Sequence, residues 1–387
     1  MKAPQKPTIL ILIGYYLPGF KAGGPLRTIS NMVNMLCDDY YFKIITRDRD
    51  LGDSTSYSDI IHDEWNDLGT AQVYYMRPNE LKFYKLNSFI KNIQYDYMYL
   101  NSFFDPIFTL KVLLGKKMNL INDTNIVLAP RGEFSKGALG IKRLKKTTFI
   151  SIIRHLGFLN KLTFHASTNL EFQDIKNALS IKDRSIRIAL NLPSVPIGLK
   201  LCELDFNQAS LNRPLRIIFL SRISPKKNLH FALEILSRVE TEIDFDIYGP
   251  KEDEKYWEKC CNLISNLPNN VSINVLGNIR HDDIYKTFAK YDLFFFPTQG
   301  ENYGHVIAES LIAGTPVLLS DQTPWRNMNS QGFGWDINLN NENEFVKIIE
   351  NFHLKGKSFR RRTIHNKVQK LLVNPDVINA NRSLFNK

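Results

Sequence analysis

The sequence predicts an α/β protein built as two doubly wound, Rossmann-like domains. Three observations lead there. Strand-length apolar runs alternate with stretches of helical period along most of the 387 residues. The alternation stops once, near the middle, in a stretch rich in Pro and Asn, and then restarts. Phe294 to Asp321 reads strand, turn, helix and strand in immediate succession, a βαβ unit.

In the first half, strands are expected at Thr8–Tyr16, Tyr41–Thr46, Gln72–Arg77, Asp96–Asn101, Asn125–Pro130, Leu162–Ala166 and Ser185–Leu190. Helical period falls near Pro25–Leu36, Leu81–Ile93, Pro106–Gly115, Ile141–Leu156 and Asn169–Leu179. The first strand runs into Pro18-Gly19-Phe20-Lys21-Ala22-Gly23-Gly24-Pro25, a glycine loop that opens a helix. Glycines let backbone N–H groups approach an anion closely, although Gly-Gly-Pro is also a common turn. The string is not GxGxxG, which disfavours a nicotinamide dinucleotide site. Ala129-Pro130-Arg131-Gly132-Glu133 leaves the fifth strand, where Arg131 is either a surface side chain or part of a site. His165 ends the next strand and reads as a buried, hydrogen-bonded structural histidine.

Leu192-Pro193-Ser194-Val195-Pro196 and the irregular run to Pro214 read as a linker. The expected boundaries are a first domain at 1–193, a linker at 194–213, a second domain at 214–357 and a tail at 358–387. The second domain opens with a strand from Leu215, then Ser221-Arg222-Ile223-Ser224-Pro225-Lys226-Lys227 and a helix to about Val239. Lys226 and Lys227 at a helix N-terminus each cost roughly 0.3–1 kcal/mol, because the dipole there favours an anion. A phosphate bridging Arg222, Lys227 and the helix N–H groups removes the conflict; solvated surface lysines are the alternative. Asp244 and Asp246 have the Asp-x-Asp spacing of a metal chelate, but they precede the end of their strand.

In the central stretch, Leu293 to Phe296 is a buried strand and Pro297 to Gly300 its exit turn. A helix is expected from Gly304 to Gly314, then a strand at Val317 to Leu319. Glu301 sits in the turn and Glu309 on the helix, whose neighbours are nearly all apolar. Glu309 is therefore buried and needs partners. Gly304 to Glu309 spans roughly 7–8 Å of helix rise, so the two carboxylates flank one mid-sized polyhydroxylated ligand.

Composition bounds the rest. Hydrophobic residues at 43% describe a globular chain, and no apolar run approaches the 18 or so residues of a membrane span. The N-terminus reads as a first strand and not as a signal peptide. Four cysteines without a Cys-x-x-Cys argue against zinc and a disulfide framework, and favour a reducing cytoplasm. A net charge of +11 implies an anionic partner: a nucleotide, a membrane face or nucleic acid. Nucleic acid is the weakest of the three, since no binding motif for it accompanies the charge. Lys136, Lys142, Arg143, Lys145, Lys146 and Arg154 gather around one amphipathic stretch with Leu144, Phe149, Ile152, Ile153 and Leu156. That pattern fits a membrane-surface helix or a packed helix with a solvated basic face.

The string Pro297 to Asp321, PTQGENYGHVIAESLIAGTPVLLSD, resembles the E-x7-E signature of the family 4 retaining glycosyltransferases, although that family commonly has Phe where Tyr303 stands. The resemblance implies a GT-B fold, two domains facing a cleft, with the C-terminal helix crossing back to the first domain. It implies transfer of a sugar from a nucleotide-diphosphate sugar, with retention and without a metal or other cofactor. Ser221 to Asn228 resembles the segment that holds the diphosphate, which assigns Arg222 and Lys227 to that work. Glu301 would hold the sugar and Glu309 the ribose, with Asn302, Tyr303 and Gly304 lining the donor. Gly23 and Gly24 would face the donor phosphate, and Arg131 the acceptor side. Helices of the acceptor domain in this family often dock at the cytoplasmic leaflet. The expected acceptor is thus a lipid-linked saccharide, met at the inner face of the cytoplasmic membrane during surface polysaccharide assembly. Two other classes stay open: a nucleotide-sugar epimerase of the same fold, and a charge-driven anion- or nucleic-acid-binding protein indifferent to Glu301 and Glu309.

Overall fold

The computed structural model describes residues 6–140, 143–194, 213–280, 283–352 and 361–386. Two units divide the chain: Met1–Leu192 with Pro375–Lys387, and Pro193–Asn374. Most of the expected linker, 195–212, lies outside the described residues, as do Lys142, Cys202, His281 and Phe359.

The first unit holds eight strands: β1 Thr8–Leu12, β2 Tyr41–Arg47, β3 Trp65–Asp67, β4 Gln72–Met76, β5 Tyr97–Asn101, β6 Asn125–Ala129, β7 Leu162–Ala166 and β8 Ile186–Ile188. They lie in the order β3-β4-β2-β1-β5-β6-β7-β8, and every pairing is parallel except β3 with β4. Leu10 and Leu12 enter one packed cluster with Leu100 and Phe164, whereas Ile9 and Ile11 enter another with Tyr99 and Val127. Both sheet faces are thus covered, which is why these strands read as continuous apolar runs.

The second unit is a six-stranded, all-parallel sheet: β9 Leu215–Leu220, β10 Ile243–Tyr248, β11 Val271–Gly277, β12 Leu293–Phe296, β13 Val317–Ser320 and β14 Gly334–Ile337. The order is β11-β10-β9-β12-β13-β14. The chain builds outward from β9 to one edge, then returns to β12 and builds to the other. The point between β9 and β12 is the topological switch, and ligands of such sheets bind outside the carboxyl ends of the strands there.

Several elements depart from the sequence expectation. The first strand stops at Leu12, four residues early, as the chain enters the turns that lead to the glycine loop. Residues Pro106 to Lys111 form a wide π-type turn before the short helix Val112–Lys117. Lys136–Gly140 is a helix of its own, ahead of Arg143–His155. Lys226 and Lys227 do not open a helix. They lie in the single turn Pro225–Lys227, and the helix Leu229–Leu236 starts after Asn228, whose φ is 64°. The basic helix Arg361–Leu372 belongs to the second unit, where Ile364, His365 and Val368 are buried and His365 Nδ1 meets the Ile312 carbonyl. It is the next helix, Pro375–Ser383, that belongs to the first unit. Leu384 and Phe385 are buried there, with Phe385 edge-on to Tyr40 and Tyr97.

Candidate active site

The loops leaving β9 and β12 meet at the switch point of the second unit, and backbone bonds clamp them together. Gln299 N donates to the Lys226 carbonyl at 2.8 Å, and Thr298 Oγ1 to the same oxygen at 3.1 Å. Asn228 is the pin: buried and left-handed, it donates Nδ2 to the Pro297 carbonyl at 2.9 Å. Asn tolerates that backbone better than most residues, and an Asn before an apolar helix was the available signal. The loop after β13 joins through Glu301 N, which donates to the Gln322 carbonyl at 3.2 Å.

This clamp brings Lys227 onto Glu301. Lys227 Nζ donates to Glu301 Oε1, and the two side chains are only 12% and 13% exposed. The ammonium also lies 5.5 Å from the centre of the Phe296 ring, a cation over an aromatic face. Lys226 reaches over Gly300, and its ammonium is held below the usual lysine range, first by loss of solvent and then by the like charges of Lys227 and Arg222; Glu301 opposes this. Arg222 takes a different carboxylate: its Nη1 donates to Glu252 Oε1 at 2.6 Å, in the loop after β10. That loop is fixed by Gly249, where a Cβ would fall 1.8 Å from the Ser221 carbonyl oxygen.

Behind the turn runs the helix His305–Ile312. Gly304 opens it at φ 79°, a left-handed backbone that favours glycine, and a side chain there would also have to displace the tip of Ile307. Glu309 is 3% exposed, as its apolar surroundings in sequence required. Tyr303 is buried beside it, with its hydroxyl pushed well above the usual tyrosine range by burial and then by the Glu309 charge. That hydroxyl has no hydrogen-bond partner among the described residues. The Tyr303 backbone is held by Trp325, whose Nε1 donates to the Tyr303 carbonyl at 2.6 Å. Glu301, Asn302, Tyr303, Gly304 and Glu309 therefore stand in one place with Lys226 and Lys227. Asn228, Gly249, Glu252 and Gln322 complete it, and none of these four was singled out from the sequence.

Asp246 accepts from Tyr291 Oη and, at 2.9 Å, from Asn274 Nδ2, so this member of the Asp-x-Asp pair already serves protein partners. Among the described residues no group of three or more His, Cys, Asp or Glu side chains is placed to hold a metal ion.

In the first unit, Gly23 caps the helix Gly24–Leu36 at φ 68°, and neither Gly23 nor Gly24 has a neighbour that a Cβ would touch. The loop before them already holds an anion of its own. Buried Asp50 accepts from Phe20 N at 2.7 Å and Lys21 N at 3.0 Å. Arg131 has three neutral partners: Nε donates to Asn101 Oδ1 at 2.8 Å, Nη1 to Asn191 Oδ1 at 2.9 Å and Nη2 to Tyr99 Oη at 2.7 Å. Tyr99 Oη lies 2.6 Å from His165 Nδ1, and His165 Nε2 lies 2.7 Å from the Ala189 carbonyl. A carbonyl only accepts, so Nε2 carries the proton and Nδ1 accepts from Tyr99. Burial, then the Arg131 charge, pushes His165 down to about 3. Arg131 thus cross-links the carboxyl ends of β5 and β6 to the segment after β8.

The family model of glycosyl transferases group 1 matches residues 203–370. No curated protein matches the chain. Solved structures that share the fold include HepE of Anabaena in complex with UDP and glucose, at TM-score 0.66 and 15% identity over 98% of each chain. Sucrose-phosphate synthase from Thermosynechococcus elongatus reaches 0.69 at 14% identity over 98% of each chain. WaaG, a glycosyltransferase involved in lipopolysaccharide biosynthesis, gives 0.63 at 12% identity over 97% of this chain and 98% of its own. At such identities the likeness is one of fold. Residues 203–370 are thus similar to the group 1 glycosyl transferases, on a chain with the two α/β domains of the GT-B fold.

Proposed function

We propose that the protein transfers a sugar from a nucleoside-diphosphate sugar to an acceptor hydroxyl, with retention of anomeric configuration. The observation that carries this reading is the convergence of Lys226, Lys227 and Glu301 at the switch point, in front of buried Glu309. Arg222 stands one loop residue from the same strand end. As the donor's glycosidic bond breaks, negative charge grows on the departing diphosphate. Fixed cations in a partly desolvated site stabilise that charge without having to reorganise. Glu301 accepts from hydroxyls of the sugar and Glu309 from those of the ribose. The cations supply what a divalent ion would otherwise bring, so turnover continues in EDTA.

The acceptor in this reading is a lipid-linked saccharide of a surface polysaccharide, met at the inner face of the cytoplasmic membrane. What supports it is the helix Arg143–His155 with the turn that follows it, where Leu144 is 83% exposed and Ile152 and Leu156 are about half exposed, beside Arg143, Lys145 and Arg154. No helix among the described residues is long and apolar enough to cross a membrane, so the contact is with a surface. The first test is a thermal-shift screen over UDP-, GDP- and ADP-sugars, since a ligand of the folded state raises Tm by mass action. Transfer from the stabilising donor to an added acceptor, with NMR assignment of the product anomer, then decides the chemistry. A melting temperature unmoved by every nucleotide sugar sinks the reading.

A further inference from the structure

We propose that Glu252 is an internal counter-ion of Arg222 that the donor's diphosphate displaces, so that Glu252 sets how strongly charged a ligand must be to enter. This rests on the donor site proposed above. Three carboxylates contact the loops or side chains assigned to donor phosphates, and their settings differ. Asp50 is buried and takes two loop amides, which makes it a fixed part of its loop. Glu301 shares a largely desolvated bond with Lys227. Glu252 alone pairs in the open: its carboxylate and the Arg222 guanidinium are 43% and 42% exposed, at 2.6 Å.

An ion pair in that setting is worth little, because water competes for both partners. A diphosphate offers the guanidinium two oxygens at once, a better match for its planar fork than one carboxylate oxygen. Glu252 is nonetheless held close. Ile223 N donates to the Pro250 carbonyl at 2.8 Å, and Glu252 N returns to the Ile223 carbonyl at 3.2 Å. Gly249 permits this close approach of the two loops. After displacement the carboxylate therefore remains beside the bound anion and opposes it. Ligands carrying two phosphates overcome that opposition through Lys226 and Lys227 as well; an uncharged nucleoside does not engage it.

Isothermal titration with UDP, GDP and ADP, and with the matching nucleosides, tests this on the wild type, Glu252→Gln, Arg222→Met and the double variant. The expected result is diphosphate binding about two- to five-fold tighter in Glu252→Gln, the range an exposed pair allows, with a gain that fades in high salt. Nucleoside binding stays unchanged, and the gain is lost when Arg222 is Met. Unchanged or weaker diphosphate binding in Glu252→Gln overturns the proposal, as does an equal gain in the Arg222→Met background. Failure of the wild type to bind any nucleotide removes the donor site itself, and this inference with it.

Discussion

Replacing Lys227 by Met and Glu301 by Gln separates two proposed roles that the structure joins in a single ion pair. Met keeps a similar apolar stem and removes the charge that lies 5.5 Å from the centre of the Phe296 ring. The pair is neither surface nor core, at 12% and 13% exposure, so it falls between the worth of an exposed pair and the cost of breaking a buried one. A hydrogen bond to a charged group contributes about 1.5–3 kcal/mol, and losing Lys227 should cost about 2 kcal/mol of stability. For a unit of this size that is a fall in Tm of about 4–8 °C. Glu301→Gln should cost less, since an amide oxygen still accepts from the ammonium.

Ligand binding should divide the variants the other way. Lys227→Met loses a contact to the diphosphate, which lowers UDP affinity by at least ten-fold, about 1.4 kcal/mol. Glu301→Gln replaces a charged competitor for the ammonium by a weaker neutral one and leaves UDP affinity unchanged or higher, while kcat with the sugar donor falls. Calorimetric Kd for the nucleotide and initial rates with its sugar measure the two effects. Wild-type nucleotide affinity in Lys227→Met would remove the diphosphate from this end of the sheet. Loss of UDP binding in Glu301→Gln would make Glu301 a contact of the nucleotide, not of the sugar.

Glu309→Gln should weaken nucleotide binding by roughly ten-fold with little change in fold, measured by the same titration; full affinity would detach the helix from the site. Tyr303→Phe removes a buried hydroxyl without a described partner and should raise stability by on the order of 1 kcal/mol; a comparable loss would reveal a partner in use. His165 is depressed to about 3 in the fold, so the unfolded chain takes up its proton first. Its contribution is complete above about pH 6.5 and declines below it, by about 2 kcal/mol between pH 7 and 5. Urea unfolding at the two pH values reads this, and a His165→Gln variant with the same slope would assign the decline elsewhere. Liposome co-sedimentation checks the helix Arg143–His155: binding to anionic vesicles should exceed binding to neutral ones, and Leu144→Glu should abolish it. Equal binding to both vesicle types would return that helix to an ordinary solvated role.

Much of the fold was legible because buried parallel strands have to be apolar on both sides. Ile9 to Leu12 and Leu293 to Phe296 could be read directly for that reason. Glu309 was legible for the opposite reason, a lone carboxylate on a helix with no polar face. What the sequence hid was set by contacts between loops distant in the chain. The antiparallel strand β3 is three residues long and pairs only with β4, so its local pattern is too short to register. Glu252 looks like any surface glutamate until the backbone bonds of Ile223 bring its loop beside Arg222. The two lysines looked like a helix-dipole conflict, but Asn228 turns the chain before the helix begins, and the charge of Lys227 is met by Glu301.

Those loop contacts also change where the basic charge of this chain does its work. The net charge of +11 invites the idea that the donor site is an electropositive trap. At the proposed site, however, Arg222, Lys226 and Lys227 stand with Glu252, Glu301 and Glu309, and three cations beside three carboxylates argue against a strong net field that steers a nucleotide from afar. Affinity there has to arise at contact, from exchanging one set of partners for another. The helix Arg143–His155 differs: between its ends stand Arg143, Lys145, Lys146 and Arg154, with no acidic residue among them. Each cation near an anionic surface contributes about 1 kcal/mol, and several acting together reach well beyond contact at low salt. Screening separates the two cases. As the Debye length falls from about 10 Å at 0.1 M to about 3 Å at 1 M, vesicle binding through this helix should collapse, whereas nucleotide affinity should change far less. Parallel salt dependence of the two would mean that the donor site carries a net charge which its paired carboxylates do not cancel.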